Sequence, residues 1–316
     1  MNTARQFPPL SVTVGVDLGG TGTRIVALDR TGAVQGERTI MTPHHSGSSD
    51  SAVEELSSQI RAAAGDMAIV GVGIGASGPV DARGVIRNDD TLPAFSHIPL
   101  TDMLTDRLGV ACVIDNDAVT AAVGEHVHGA GRGATSLLMV TLGTGIGAAL
   151  LVDGQPVRAA DGSHPEAGHI PVPGIPAPCY CGLSTCWEQL ASRTALDELT
   201  SGQTAEYASR AAEGDVVAET VFDAYGARVA AGLEILLPLC RPDRLVLGGG
   251  AAQYLPLFAP ALDEGLRRNP GYEWNPPRCA AALGAMSGAI GAAVLAAKID
   301  RIPSTQPVAQ PIQPIA

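Results

Sequence analysis

Glu166-Ala167-Gly168-His169 is followed by Cys179-Tyr180-Cys181-Gly182-Leu183-Ser184-Thr185-Cys186-Trp187-Glu188, so one His and three Cys fall within eighteen residues between two carboxylates. Imidazole and thiolate are the donor set of a closed tetrahedral zinc site, and zinc favours N/S donors over oxygen. Packing alone gives no reason for three Cys within eight residues of a chain that has six. His169, Cys179, Cys181 and Cys186 are therefore the metal ligands read here. A structural metal folds its own loop; placed between Glu166 and Glu188, it also holds a surface on which two acids can act.

Two further patterns carry chemistry. Val12 to Asp17 is a β-rich run closing on Gly19-Gly20-Thr21-Gly22-Thr23, and Leu137 to Leu142 closes on Gly143-Thr144-Gly145-Ile146-Gly147. In each case an apolar run follows, which reads as strand, Gly/Thr turn, strand. Backbone N–H groups around glycines form concave anion sites, to which Thr hydroxyls add donors. Two such hairpins and a third Gly run at Gly248-Gly249-Gly250 point to nucleotide phosphates. Asp117 closes Ile114-Asp115-Asn116-Asp117 at a strand end, where a carboxylate can face a ligand crevice or cap a helix. Gly73-Ile74-Gly75-Ala76-Ser77-Gly78 matches the dinucleotide fingerprint, but Pro79 to Gly84 reads as a turn where that fingerprint needs a helix.

These residues need a scaffold, and the chain is long enough to build two lobes: 316 residues, 46% hydrophobic and 16% charged. The net charge of −12 and the lack of a Lys/Arg cluster argue against nucleic acid or an anionic membrane as partner. Cys112, Cys240 and Cys279 are scattered, which is no disulfide framework. No charged-then-apolar signal opens the chain, and the expected compartment is the cytoplasm. Cys279 to Ala297 carries no charge, yet Leu283, Met286, Ile290, Val294 and Leu295 recur at helical spacing among Ala and Gly. That run reads as a buried helix rather than a membrane span.

Along the chain, helices are expected over 51–64, 100–108, 118–125 and broadly over 193–231. Strands are expected over 67–74, 111–114 and 244–247. Strands and helices alternate throughout, so the class is α/β. The two Gly/Thr hairpins suggest two related halves. The tail from Ile302, Pro- and Gln-rich, reads as disordered.

With these residues assembled, the chain resembles the ROK family of sugar kinases and repressors, within the actin/hexokinase-like ATPase superfamily. The resemblance runs from about Val14 to Ala297. It rests on Asp17 to Thr23, Gly75 to Val80, Asn116-Asp117-Ala118, Gly143 to Gly147, Leu247 to Gly250, and the full Glu-x-Gly-His and Cys-x-Cys-Gly-x-x-x-Cys-x-Glu signature. It implies a two-lobed, ribonuclease H-like fold with a cleft between the lobes. The N-terminal lobe would span 12–120, joined by a C-terminal helix over 282–298. The C-terminal lobe would span 121–281 and carry the zinc loop 166–188, with tails at 1–11 and 299–316.

The resemblance also assigns roles. Asp117 would be the general base taking the proton of a sugar hydroxyl as it attacks the γ-phosphate of ATP. Gly78, Asn116, Glu166, His169 and Glu188 would hold the sugar, His169 giving one ring nitrogen to zinc and the other to the sugar. Asp17 would hold the Mg²⁺ shell. Gly19, Gly20, Thr21, Thr23, Gly143, Thr144 and Gly145 would cradle phosphates, and Gly248 to Gly250 would approach the adenosine. ATP and polyphosphate are both compatible donors, and a homodimer is the implied assembly.

The chain departs from the family pattern in three places: Thr91-Leu92-Pro93-Ala94-Phe95 stands for Asn-Leu-Pro-Gly-Trp, His164-Pro165 for Ala-Gly before Glu166, and Gly22 for a Lys or similar residue. The first two lie near the expected sugar. The expected activity is a hexose kinase acting on the 6-hydroxyl, with fructose, an acylamino sugar or a C7-cyclitol as alternative acceptors. A repressor would carry a DNA-binding domain before Asp17, where sixteen residues leave no room. A catalytically silent sugar-binding protein would not need both Asp17 and Asp117.

Overall fold

The computed structural model describes residues 11–43, 48–174, 176–267 and 276–298; the tail reading for 1–10 and for the Pro/Gln-rich C-terminus lies outside them. The first half runs β1 (Ser11–Leu18), β2 (Gly22–Leu28), β3 (Val34–Met41), α1 (Ser49–Ala64), β4 (Ala68–Ala76), α2 (Leu100–Leu108), β5 (Cys112–Asn116) and α3 (Asp117–His128). Its sheet has the order β3-β2-β1-β4-β5, with β4 parallel to β1 and β5 parallel to β4. The second half runs β6 (Ser136–Leu142), β7 (Ile146–Val152), β8 (Gln155–Pro156), α4 (Trp187–Ala191), α5 (Arg193–Leu199), α6 (Thr204–Ala212), α7 (Val216–Cys240), β9 (Arg244–Gly248), α8 (Leu255–Arg267), β10 (Arg278–Ala280) and α9 (Ser287–Lys298). Its sheet order, β10-β9-β6-β7-β8, repeats the first with the same parallel and antiparallel pairings. The two halves suggested by the hairpins are thus the same topology twice.

Each half has its own core. In the first, Val14, Val16 and Leu18 of β1 meet Val53, Leu56 and Ile60 of α1, all essentially inaccessible. Period-2 alternation on the strand and 3–4 spacing on the helix place them on facing surfaces. In the second, Trp187, Phe222, Tyr225 and Leu233 fill the space between α4, α7 and β6.

The uncharged run near the C-terminus differs from the expected single helix over 282–298. Residues 278–280 pair with β9, a 3₁₀ turn occupies Gly284–Met286, and α9 begins only at Ser287. Its small residues let α9 lie directly on β1, β4 and α3. A Cβ on Gly73 of β4 would sit 1.9 Å from the Ala292 carbonyl, and one on Gly291 would sit 1.7 Å from the Thr120 carbonyl. Among the described residues no helix is long and apolar enough to cross a membrane.

α3 runs through residue 120 and packs on β6 and β7 of the second half, while α9 packs on the first sheet. Where the two helices meet, Glu125 is fully buried. Its carboxylate accepts from the backbone N–H of Ala130, Ala282 and Leu283 and from the Ser287 hydroxyl, at 2.7–3.0 Å.

Candidate active site

The first hairpin turns between β1 and β2 with Asp17 one residue before the end of β1, opposite Arg24 on β2 and Gly75 on β4. Arg24 lies 3.5 Å from its carboxylate. Burial outweighs that neighbour and pushes the Asp17 carboxyl up to about 6. The turn is pinned by Thr42, whose hydroxyl donates to the Gly19 carbonyl at 2.6 Å and lies 2.9 Å from the Thr23 hydroxyl. Thr23, expected among the phosphate donors, is fully buried and bound to Thr42. It stiffens the turn instead, because it lies within β2 with its side chain packed inward on Thr42, whereas Thr21 precedes the strand and is exposed. Gly19 and Gly20 are half-buried beside it.

The second hairpin is tied from behind to the start of α5. Arg193 N–H donates to the Gly143 carbonyl, the Thr194 hydroxyl to the Thr144 carbonyl, and the Arg193 guanidinium to the Gly250 carbonyl. Thr144 and Gly249 to Gly250 are exposed, Gly248 is buried in β9, and Gly145 abuts Glu188: a Cβ there would meet its Oε2 at 2.6 Å.

Asp117 is the first residue of α3 rather than the last of a strand, and the N-cap is Asn116. The Asn116 amide oxygen accepts from Ala118 and Val119, and its NH₂ donates to the Gly78 carbonyl at 3.1 Å. Asp117 also accepts from Ala118, at 2.8 Å. A helix N-terminus favours a carboxylate, yet the group is pushed up to about 7, chiefly by burial and then by the negative charges of Asp17 and, more weakly, Glu166. Asp17 and Glu166, from two other segments, thus lie near enough for their charges to act on Asp117. The glycine fingerprint at 73–78 is followed by turns and isolated bridges, so no helix N-terminus exists there for a dinucleotide.

His169, Cys179, Cys181 and Cys186 converge, with their ligand atoms all within 4.8 Å of one another. Cys181 and Cys186 sulfurs are 3.3 Å apart and Cys179 Sγ lies 3.5 Å from His169 Nδ1. A tetrahedral zinc with ordinary Zn–S and Zn–N bonds spaces its ligands about 3.5–3.8 Å, so the donor set fits the ion. Nδ1 is the nitrogen on the cluster side; Nε2 lies 2.8 Å from the Tyr180 hydroxyl. The Glu188 carboxylate, buried, reaches both Cys179 (3.2 Å) and His169 Nδ1 (3.4 Å). It thereby links the cluster to the second hairpin.

Several residues at the site escaped the sequence reading. Tyr180, exposed, stands edge-on to His169 at 4.9 Å. Arg158 pairs with Asp115, and His164 Nε2 lies 3.3 Å from Glu166. His164 had a signal, as a departure before Glu166; Arg158 had none, its partner being 43 positions away.

A match to the ROK family model covers residues 13–299. The chain belongs to the ROK family. A glucokinase of Streptomyces coelicolor is 30% identical to it over 324 residues, covering 93% of this chain and all of the relative. Among solved structures, a ROK glucokinase from Streptomyces griseus in complex with glucose and AMPPNP is 31% identical, covers 91% of this chain and 99% of that one, and superposes with a TM-score of 0.77. A ROK hexokinase from Thermus thermophilus is 32% identical over 92% of this chain and 99% of that one, with a TM-score of 0.75. The chain is accordingly a sugar kinase of the two-lobed actin/hexokinase-like class.

Proposed function

We propose that this kinase transfers the γ-phosphoryl group of ATP to the 6-hydroxyl of a hexose of the glucose class. The observation that carries the reading is Asp117, held at the head of α3 with a carboxyl raised to about 7 beside Asp17 and Glu166. A general base works best when its pKa lies near the working pH. Asp117 takes the acceptor proton as the oxygen attacks phosphorus. Asp17 faces the same space and suits the shell of a Mg²⁺ ion, whose charge would offset the acids and the transferring phosphoryl group.

The partly exposed backbone of Gly19 to Thr21 and of Gly143 to Gly145 suits phosphate oxygens, and Gly248 to Gly250 lies beside the second hairpin for the nucleoside. Asn116, Gly78, Glu166, His169 and Glu188 surround the acceptor. Zinc on His169 and the three Cys would keep Glu188 and His169 in place without touching the reacting atoms. A cytoplasmic homodimer is the state we assign; exposed Val216, Val217, Ile235 and Leu239 on α7 are candidates for the covered face.

The test is a panel of hexoses, acylamino sugars and cyclitols with Mg-ATP or polyphosphate, the phosphorylated position being read by NMR. Glucose 6-phosphate or a close epimer is the expected product. Preference for an acylamino sugar or cyclitol would move the reading to that acceptor, and no transfer to any member would leave a sugar-binding protein in its place.

A further inference from the structure

The strap at 157–165, between β8 and Glu166, contains a buried imidazole that the reading above does not use. His164 is 5% exposed at its side chain, whereas Glu166, two residues on, is 42% exposed. A half-solvated glutamate samples several rotamers, and fixing it on a ligand costs conformational entropy. Here one carboxylate oxygen already has a close partner: His164 Nε2 lies 3.3 Å from Glu166 Oε1, within ion-pair distance. A carboxylate at pH 7 only accepts, so a ring nitrogen turned toward it can serve it only as an N–H donor.

The backbone that carries the ring is fixed by bonds within the strap. Ala159 N–H donates to the Ser163 carbonyl at 2.8 Å, Gly162 N–H to Ala159 at 2.9 Å, and the Arg158 guanidinium to Gly162 at 3.3 Å. Arg158 then crosses to the other half and pairs with Asp115 of β5. Asp115, buried, also accepts the Asn116 backbone N–H at 2.8 Å. The strap therefore links the two acceptor-facing segments, 115–117 and 164–166. The charged groups facing His164 are Glu166, Asp115 and Arg158; burial dominates among the influences and pushes its pKa down.

We propose that His164 is a positioning residue for the acceptor: it holds one oxygen of Glu166 and so aims the other at a substrate hydroxyl, on a strap anchored by Arg158 and Asp115. This rests on the reading of Glu166 as an acceptor ligand.

The test is steady-state kinetics of H164A, H164Q, H164L, E166Q and H164A/E166Q, with glucose or the best acceptor of the panel varied against fixed ATP and the reverse. H164A should raise the acceptor KM about three- to tenfold, the worth of one ordinary hydrogen bond. It should leave kcat and the ATP KM within about twofold. Gln, whose amide can donate, should recover most of the loss, and Leu, which fills the space without donating, should not. E166Q should raise the acceptor KM, with little added by H164A.

A wild-type acceptor KM in H164A, where E166Q raises it, overturns the proposal alone. So does H164Q behaving like H164L, a comparison that stands even if H164A fails to fold. A wild-type acceptor KM in E166Q refutes the Glu166 reading itself, and this proposal with it.

Discussion

Asp117→Asn tests the acidic cluster without depending on which sugar is bound. Asp117 rises from 3.8 in the unfolded chain to about 7 in the folded one. Between those values the native state holds a proton that the unfolded state releases. Stability therefore falls as pH rises through this window and levels off above it. Each pH unit is worth about 1.36 kcal/mol. Between pH 5 and pH 8.5 the ionised wild-type carboxylate should thus cost the fold about 2–3 kcal/mol more, while Asn, uncharged and still able to accept from Ala118, is indifferent. In nucleotide- and Mg²⁺-free buffer, chemical or thermal denaturation should show the variant gaining on wild type by that amount across the range. The melting-temperature gap would widen by several degrees, at about 2–4 °C per kcal/mol for a chain of this order of size.

The same substitution should lower kcat by ~10²-fold or more with acceptor affinity nearly unchanged. In the wild type, kcat/KM for the acceptor should fall about tenfold per unit as pH drops below about 7. Mg²⁺, if held by Asp17 as proposed, would move that limb to lower pH by cancelling a repelling charge. A stability difference that stays flat from pH 5 to 8.5 would mean that Asp117 ionises as in water and that the three acids do not converge. Near-normal turnover in the variant would remove it as the base.

Purified protein should contain about one zinc per chain by metal analysis, and Cys181→Ser should lose it together with part of the acceptor affinity, because His169 and Glu188 are held by the cluster; a zinc-free, fully active preparation contradicts this. Gly291→Ala should destabilise the fold by about 2–3 kcal/mol in denaturant titration, since the new methyl meets the Thr120 carbonyl; a neutral result would mean α3 and α9 are not in contact. Glu125→Ala should cost about 3 kcal/mol or more, because three backbone N–H groups and the Ser287 hydroxyl lose their acceptor; Glu125→Gln should recover only part of it in the same assay.

Local order was the legible part. α2 falls on the expected residues 100–108, and α1 buries Val53, Leu56, Ile60 and Ala64 as their spacing requires. Both Gly/Thr hairpins form because each apolar run has a partner one short turn away. The Cys/His cluster was readable for the same reason: its ligands lie within one loop. The run from Cys279 misled because lack of charge reports burial and not conformation. Its first residues pair with β9, and the next are held by Glu125, more than 150 positions earlier. Thr23 misled because a hydroxyl in a Gly-rich turn looks like a donor until β3 brings Thr42 against it. Arg158–Asp115 depends on where a strap crosses between halves, a tertiary matter that no local pattern encodes, whereas His164–Glu166 is a local contact whose only signal was the His-Pro departure.

The repeated topology explains why the chemistry is divided as it is. Asp17 of β1 stands beside Gly75 of β4; at the matching place in the second sheet, Thr141 of β6 stands beside Gly248 of β9. One half thus brings a carboxylate to its hairpin and the other a hydroxyl. The helices after the last strand of each sheet, α3 and α9, are likewise equivalent, and each packs on the opposite sheet as well as on its twin. They touch through Gly124 and Gly291, so each helix reaches the other's backbone. The first half then projects Asp117 from the head of α3, while the second contributes the Cys/His loop flanked by Glu166 and Glu188. On the reading proposed above, the duplicated scaffold would set Asp17 and Asp117 of the first half across from the hairpin N–H groups of the second, a charge asymmetry that suits phosphoryl transfer. Exchanging Asp17 and Thr141 should therefore abolish turnover without restoring it in mirrored form, since only the first half carries an aspartate at the head of its crossing helix.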